Sequence, residues 1–138
     1  MDFIDPIIIR TEFNNETQWE ELCEMVKTPN TEYGIEAYIE FLNDPRLNGL
    51  NSNQVFDKLV AEFIYDFDFY FVADKITFSE AGFPLLCVKI PDEHSPEEGS
   101  FRVIPNAIWA VESNLRICNM DFTEFSQNTD EAGIFKGF

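Results

Sequence analysis

The chain has 138 residues, of which 26 are acidic and 9 are basic, and its net charge at neutral pH is −17. A field of this sign repels the phosphates of nucleic acids and of anionic membranes, so we expect neither as a partner and favour basic proteins or cations. Apolar residues make up 45% of the chain and aromatic residues 15%. This composition excludes a disordered acidic tail and supplies the core of one globular domain over residues 1–138.

The cysteines and the first residues predict a cytoplasmic protein. Cys23, Cys87 and Cys118 lie singly in apolar segments, and an odd number without a CxxC pair is typical of reduced, packed thiols. The opening "MDFIDPIIIR" has acidic residues where a signal peptide requires basic ones. No segment approaches the roughly 18 apolar residues of a transmembrane helix.

The first elements are predicted to be a strand and a helix. The apolar, β-branched run within "DPIIIRTEF" (5–13) is typical of a buried strand. Asn15 then fits the N-cap of a helix, and Gln18 can return a hydrogen bond to the amide of the cap. The core side of this helix is predicted to contain Trp19, Leu22, Cys23 and Val26.

A second strand and helix follow. Apolar and polar residues alternate in "IEAYIEFLNDP" (35–45), which is the pattern of a half-buried strand. Ser52 fits the N-cap of the next helix. The core face of that helix is predicted to contain Val55, Phe56, Leu59, Val60 and Phe63.

The aromatic run "AEFIYDFDFYFVADK" (61–75) contains a third strand, "DFYFVAD". Alternation puts its phenylalanines on one face, as the contribution of the strand to the core, and its three aspartates on the other. Asp66 and Asp68 fall at the start of the strand, where solvent exposure is expected, whereas Asp74 falls at its end.

The remaining elements are a hairpin and helices. "TFSE" (77–80) reads as a capping box for about one helical turn. "PLLCVKI" (84–90) and "FRVIP" (101–105) read as strands without a helix between them, which favours antiparallel pairing. A helix is expected to begin at Pro105, and a last short helix to begin with a capping box of Asp121 and Glu124.

Strands that alternate with helices predict an α/β fold. The expected architecture is layered, with a mixed, mostly parallel sheet flanked by helices and the element order β-α-β-α-β-β-β-α-α.

Acidic side chains follow three of the predicted strands, at the ends where parallel sheets collect functional groups. They are Glu12, Asp44 and Asp74. If the three strands are parallel neighbours, these carboxylates can converge on Mg²⁺ or Mn²⁺ for hydrolysis or phosphoryl transfer. The alternative is that they are ordinary polar residues where strands enter loops. Arg10, Arg102 and Arg116 lie in structured, apolar segments. Each could bind a carboxylate or phosphate through two parallel hydrogen bonds, but with so many acidic residues in the chain internal ion pairs are expected.

A second candidate surface is acidic. Glu16, Glu20 and Glu24 share one side of the first helix, where like charges four residues apart oppose helix formation. Glu36, Tyr38 and Glu40 share one face of the second strand. A basic protein partner would make both features favourable. Solvated acidity, which keeps an aromatic-rich chain soluble, is the alternative.

Recognisable catalytic motifs are lacking. His94 is the only histidine, which excludes a histidine triad or a multi-histidine zinc site. GxGxxG, P-loop and GxSxG patterns do not occur. We therefore name no catalytic residue, expect no cofactor apart from the Mg²⁺ alternative, and favour a protein that is not an enzyme.

The segments "IIIRTEF", "FLNDP", "FYFVAD", "PLLCVKI" and "FRVIPNAIWAVESNLRICNMDFTEF" together resemble an uncharacterised family of stand-alone acidic bacterial domains. The resemblance implies a small bacterial protein and no assigned activity. It draws attention to Trp109, which is either a further core contact or an interaction residue. The favoured function is an immunity- or regulator-like module that engages a basic partner, and the alternative is the metal-dependent enzyme.

Overall fold

The computed structural model describes residues 2–3, 5–28, 37–62, 64–65, 68–90, 99–116 and 120–137. The strands are β1 (Asp2–Phe3), β2 (Ile7–Arg10), β3 (Glu40–Leu42), β4 (Ile64–Tyr65), β5 (Phe69–Ala73), β6 (Leu85–Lys89), β7 (Ser100–Val103) and β8 (Ile134–Phe135). The helices are α1 (Glu16–Lys27), α2 (Ser52–Glu62), α3 (Lys75–Ser79), α4 (Ile108–Arg116) and α5 (Phe122–Ser126). Within these ranges, none of the helices combines the length and the apolar character needed to cross a membrane.

Six strands form one mixed sheet in the order β3-β2-β5-β6-β7-β8. β2 lies between β3 and β5 and is parallel to both. β6 is antiparallel to β5 and to β7, and β8 is parallel to β7. β1 and β4 form a separate parallel pair. The predicted α/β fold with a mixed, mostly parallel sheet is confirmed, and so is the antiparallel pairing of β6 with β7.

The two crossovers that connect the parallel strands run in opposite directions across the sheet. The chain passes from β2 through α1 to β3, and then returns through α2 to β5 on the other side of β2. Because right-handed crossovers in opposite directions place their helices on opposite faces of a sheet, α1 and α2 cover different faces. Ile8 accordingly packs in the cluster that contains α1 residues, whereas Ile7 and Ile9 pack in the cluster that contains α2 residues.

The larger core cluster fills the space under α1, α4 and α5, and the smaller one lies under α2. From the helices, the larger cluster takes Trp19, Leu22, Val26, Ile108, Val111, Phe122 and Phe125, and the smaller one takes Val55 and Leu59. Val60, predicted to belong to the core face of α2, is instead 57% exposed. Phe63 lies outside the described residues.

β5 is buried on both faces. Phe69, Phe71 and Ala73 belong to the larger cluster, as their alternation predicts, but Tyr70 and Val72 are buried in the smaller cluster. The face shared with the aspartates is therefore covered by α2 along the strand itself. On this face, the exposed residue is Asp68, just before the strand begins. Asp66 lies outside the described residues.

The starts of α1 and α2 differ in part from the predicted caps. The side chain of Asn15 accepts a hydrogen bond from the backbone N–H of Gln18 at 3.0 Å, as predicted. The Gln18 side chain does not return to the cap, because its Nε2 donates to the carbonyl oxygen of Phe78. In α2 the cap is Asn51 and not Ser52: Asn51 and Gln54 each accept from the backbone N–H of the other at 2.9 Å.

The capping box predicted at residues 77–80 is wrong, because α3 begins earlier. Asp74 is its N-cap and accepts from the backbone N–H of Thr77, whose hydroxyl accepts from the backbone N–H of Asp74. The capping box predicted for Asp121 is also not formed, since that side chain makes no cap hydrogen bond.

Several strands differ from expectation in extent or existence. β1 and β4 were not predicted. β3 covers only Glu40–Leu42 of the predicted 35–45 strand. β8, at the C-terminal end of the chain, was not predicted. It is formed because Phe135 is fully buried and its ring packs edge-on against Phe125, with ring centroids 5.2 Å apart.

Candidate functional site

The carboxyl ends of β3, β2 and β5 lie side by side at one edge of the sheet. The crossover from β2 to β3 and the crossover from β3 to β5 run in opposite directions, so the gap between β2 and β5 is the switch point at which open α/β sheets bind ligands. The backbone N–H of Thr11 donates to the carbonyl oxygen of Ala73 at 3.0 Å and extends the pairing by one residue. The N–H of Gly49 donates to the carbonyl oxygen of Thr11 at 2.8 Å, which brings the loop before α2 over the end of β2.

The three strands are parallel neighbours, as the metal hypothesis required, but their carboxylates do not converge. Among the described residues, no group of three or more His, Cys, Asp or Glu side chains is arranged to hold a metal ion. Each carboxylate is turned to a local donor instead: Glu12 to the backbone N–H of Asn14, Asp44 to Arg46, and Asp74 to Arg102. The predicted cluster of Glu12, Asp44 and Asp74 is therefore not formed.

The side chain of Asp44 forms its hydrogen bonds within its own turn. It caps the short 3-10 turn Pro45–Leu47 and accepts from both the backbone N–H and the guanidinium of Arg46, the closest contact being 2.7 Å. The side-chain hydrogen bonds from Arg46 hold the pKa of this carboxyl below its usual range. A half-buried carboxylate with this local partner has a structural role in the turn.

Asp74 joins three elements. Its two carboxylate oxygens each accept from one terminal nitrogen of Arg102 at 2.8 Å, and the same carboxylate caps α3 through Thr77. Burial alone would raise the pKa of Asp74, but the hydrogen bonds from Arg102 and Thr77 and the charge of Arg102 together hold it below its usual range. The expectation of an internal ion pair is correct for Arg102.

Arg10 ends β2 at this edge, and it is 1% exposed. Its Nε donates to the carbonyl oxygen of Glu12 at 3.0 Å, and its Nη1 donates to Glu16 at 2.8 Å. The guanidinium carbon lies 4.3 Å from the ring centre of Phe13 and 5.2 Å from that of Trp19. A buried cation held between aromatic rings at the end of a central strand was not predicted as a site. Its only sequence signal is a charged residue directly after an apolar β-branched run.

The acidic side of α1 differs from the predicted row of Glu16, Glu20 and Glu24. Glu16 leaves that row to pair with Arg10, although its side chain stays 63% exposed. Glu20 and Glu24 are exposed, and so is Glu21, which lies between them on the same turn. Within the described residues these three form no side-chain ion pair. Met25 lies four residues after Glu21 and is 42% exposed.

Tyr38 and Glu40 are exposed on the side of the edge strand that faces away from α1. Tyr38 is 68% exposed. Phe41 packs with the larger cluster under α1, so the alternation of the strand directs Glu40 to the other face. Glu36 lies outside the described residues. Trp109 is half-buried and packs against the larger cluster, which is the core arrangement that the sequence left open.

Comparison with known proteins identifies a family but no activity. The model of a domain of unknown function, DUF6924, matches residues 5–138. No curated protein matches the chain. No solved structure matches it either. The match covers nearly the whole sequence and agrees with the resemblance to an uncharacterised domain family, so the chain belongs to the DUF6924 family of domains of unknown function.

Proposed function

We propose that the protein is an interaction module, immunity- or regulator-like, that engages a basic protein partner through the exposed side of α1. The observation that carries this proposal is the group formed by Glu20, Glu21 and Glu24. These carboxylates are exposed, lie within reach of one another along the helix, and have no side-chain ion pair among the described residues. We call this group the α1 acidic surface.

The α1 acidic surface is unfavourable for the isolated chain. Like charges three and four residues apart destabilise a helix by a few tenths of a kcal/mol per pair, up to about 0.5 kcal/mol. A basic partner surface would remove this repulsion and gain complementary charge. The net charge of −17 adds a long-range field that would accelerate association with a basic protein and that disfavours nucleic acids and anionic membranes as partners.

The exposed Met25 supports a protein partner over free cations. It lies beside the acidic group, four residues after Glu21 on the same helix. Methionine is enriched in protein interfaces, where its flexible thioether adapts to a partner, and the rim of such an interface is polar. Tyr38 and Glu40 lie at the β3 edge on the face of the sheet opposite α1. A partner that wraps around this edge would contact them as well as the α1 acidic surface.

The proposed location is the bacterial cytoplasm. The free thiols of Cys23 and Cys87 support a reducing compartment. The bacterial source follows from the resemblance of the chain to bacterial acidic domains.

The test is capture of a partner by immobilised protein at low and at high salt. The double variant Glu20→Lys plus Glu24→Lys reverses two charges of the α1 acidic surface. Its matched control is Glu80→Lys plus Glu131→Lys, which changes the net charge equally at two exposed positions elsewhere. We expect the same protein to be captured by the wild type and by the control variant at low salt, and to be lost in the α1 variant and at high salt. Capture that neither salt nor the α1 variant weakens would contradict the proposal.

A further inference from the structure

Within the part of the chain that the structure describes, the guanidinium of Arg10 has one nitrogen without a hydrogen-bond partner. Nε donates to the carbonyl oxygen of Glu12, and Nη1 donates to Glu16 and, at 3.3 Å, to the side-chain oxygen of Asn43. Nη2 is fully buried and donates to nothing. A buried donor of a charged group is costly when it is left without an acceptor, so this nitrogen marks a place where an acceptor is missing.

The nitrogen without an acceptor, Nη2, is next to Nη1, which has one. One N–H of Nη1 and one N–H of Nη2 are parallel, and a single carboxylate can accept both through its two oxygens. Glu16 supplies one oxygen, at 2.8 Å from Nη1, and leaves the second position unfilled. The chain therefore makes half of a two-oxygen contact at the switch point of its sheet.

We propose that Arg10 is the anchor of a binding site for the carboxylate group of a ligand, and that Glu16 occupies this site from within the chain until the ligand replaces it. Glu16 is the first residue of α1 and its side chain is 63% exposed, so it can turn into solvent without breaking core packing. The cap of α1 does not depend on it, because Asn15 holds the N–H of Gln18.

The surroundings favour a carboxylate over a phosphate. The net charge of −17 opposes any anion, and it opposes a dianionic phosphate about twice as strongly as a carboxylate of single charge. Phe13 and Trp19 flank the guanidinium, and the half-buried Phe13 offers apolar surface to the organic group that bears the carboxylate. Asn43 adds a polar side chain on the same nitrogen as Glu16.

The experiment follows the two indole N–H signals of the ¹⁵N-labelled full chain during titration with sodium acetate at constant ionic strength. The chain has only two tryptophans, so Trp109→Phe assigns both signals. We expect the Trp19 signal to shift and saturate. In Glu16→Ala, loss of the internal competitor should lower the acetate concentration at half-saturation by about tenfold. Glu20→Ala, one turn further along the exposed side of the helix, should behave as the wild type.

Three further arms identify the ligand class and the anchor. Sodium phosphate should bind more weakly than acetate to Glu16→Ala. A short peptide with a free C-terminal carboxylate is compared with acetate and with its own amide: tighter binding of the free peptide assigns the site to protein chain ends, and tighter binding of acetate assigns it to small acids. Arg10→Lys, which keeps the charge but lacks two parallel donors, should lose saturation.

Three outcomes would overturn the inference. They are the absence of a saturable Trp19 shift in Glu16→Ala, an equal gain in affinity in Glu20→Ala, and tighter binding of phosphate than of acetate. The comparison of Glu16→Ala with Glu20→Ala decides the question even if Arg10→Lys does not fold, because both glutamates are exposed.

Discussion

Asp74 and Arg102 join the ends of two strands that are not neighbours in the sheet. Asp74 follows β5 and Arg102 lies in β7, with β6 between them, and two hydrogen bonds of 2.8 Å connect the carboxylate and the guanidinium. Arg102 Nη1 also donates to the carbonyl oxygen of Pro84, just before β6. Both side chains are largely buried, at 24% and 15% exposed. This contact therefore ties the parallel half of the sheet to the antiparallel half.

Replacement of the Asp74 charge should destabilise the fold. Asn at this position keeps a capping side chain for α3 but removes the charge that pairs with Arg102, so Asp74→Asn should lower the free energy of unfolding by about 1–3 kcal/mol. Asp74→Ala also removes the cap and should cost about 1 kcal/mol more. Urea denaturation of the three proteins at neutral pH measures both differences.

The control for this pair is Asp121→Asn, at the N-cap of α5. Asp121 is exposed and makes no cap hydrogen bond, so its replacement should leave stability within about 0.5 kcal/mol of the wild type. Equal losses in Asp74→Asn and Asp121→Asn would show that the Arg102 pair does not stabilise the sheet.

The same pair should make stability depend on pH in the acid range. The pKa of Asp74 is lower in the folded chain than in the unfolded chain, where it is about 3.9. A carboxyl with a lowered folded pKa contributes its full stability above the unfolded pKa and loses it as the pH falls through the folded pKa. The stability difference between wild type and Asp74→Asn should therefore be constant above about pH 5 and shrink below about pH 4. Urea denaturation across this range tests it, and a difference that grows on acidification would refute the assignment.

The two described cysteines should be unreactive in the folded protein. Burial raises the pKa of the Cys23 thiol to about 11 and raises that of Cys87 well above its usual value. At pH 8 the thiolate fraction of Cys23 is then about two orders of magnitude lower than that of a free cysteine. Mass spectrometry after iodoacetamide treatment should find both residues unmodified in buffer and modified in concentrated urea. Rapid labelling of Cys23 in buffer would contradict this environment.

Phe135 should be essential to the unpredicted strand β8. Its ring is fully buried and lies within 6.5 Å, centre to centre, of the rings of Phe101 and Phe125. Phe135→Ala should therefore lower the free energy of unfolding by about 3–5 kcal/mol. Val60→Ala on the exposed side of α2 is the matched truncation and should change it by less than about 0.5 kcal/mol. Similar values for the two variants would mean that β8 contributes little to the folded state.

Local sequence patterns predicted most of the elements because hydrophobic period and capping act over a few residues. The run Ile7–Ile9 and the alternation in β5 identified central strands, and Asn15 identified the start of α1. Where a longer-range partner competes, the local rule failed. Gln18 donates to Phe78 of α3 instead of returning to its cap, and Thr77 completes the cap of Asp74 instead of starting a new one.

The candidate site divides in the same way. The sequence identified Asp74 as the aspartate of interest in its aromatic run and placed Glu12, Asp44 and Asp74 after the ends of three predicted strands, but it did not give the order of those strands. It did not reveal that each carboxylate turns to its own donor, because those donors are chosen by side-chain geometry. It also did not reveal that Glu16 leaves the acidic row for Arg10, six residues earlier in the chain but adjacent in space.

By itself, the sequence determined the α/β class and the acidic character of α1, because composition and periodicity carry these properties directly. Only the tertiary structure decided that β5 is covered on both faces and that Phe135 packs β8 onto the edge of the sheet. It also decided that the buried Arg10 lies at the switch point with one nitrogen that has no hydrogen-bond acceptor among the described residues. These features depend on strand order and on pairs of residues far apart in the chain, and no local pattern encodes either.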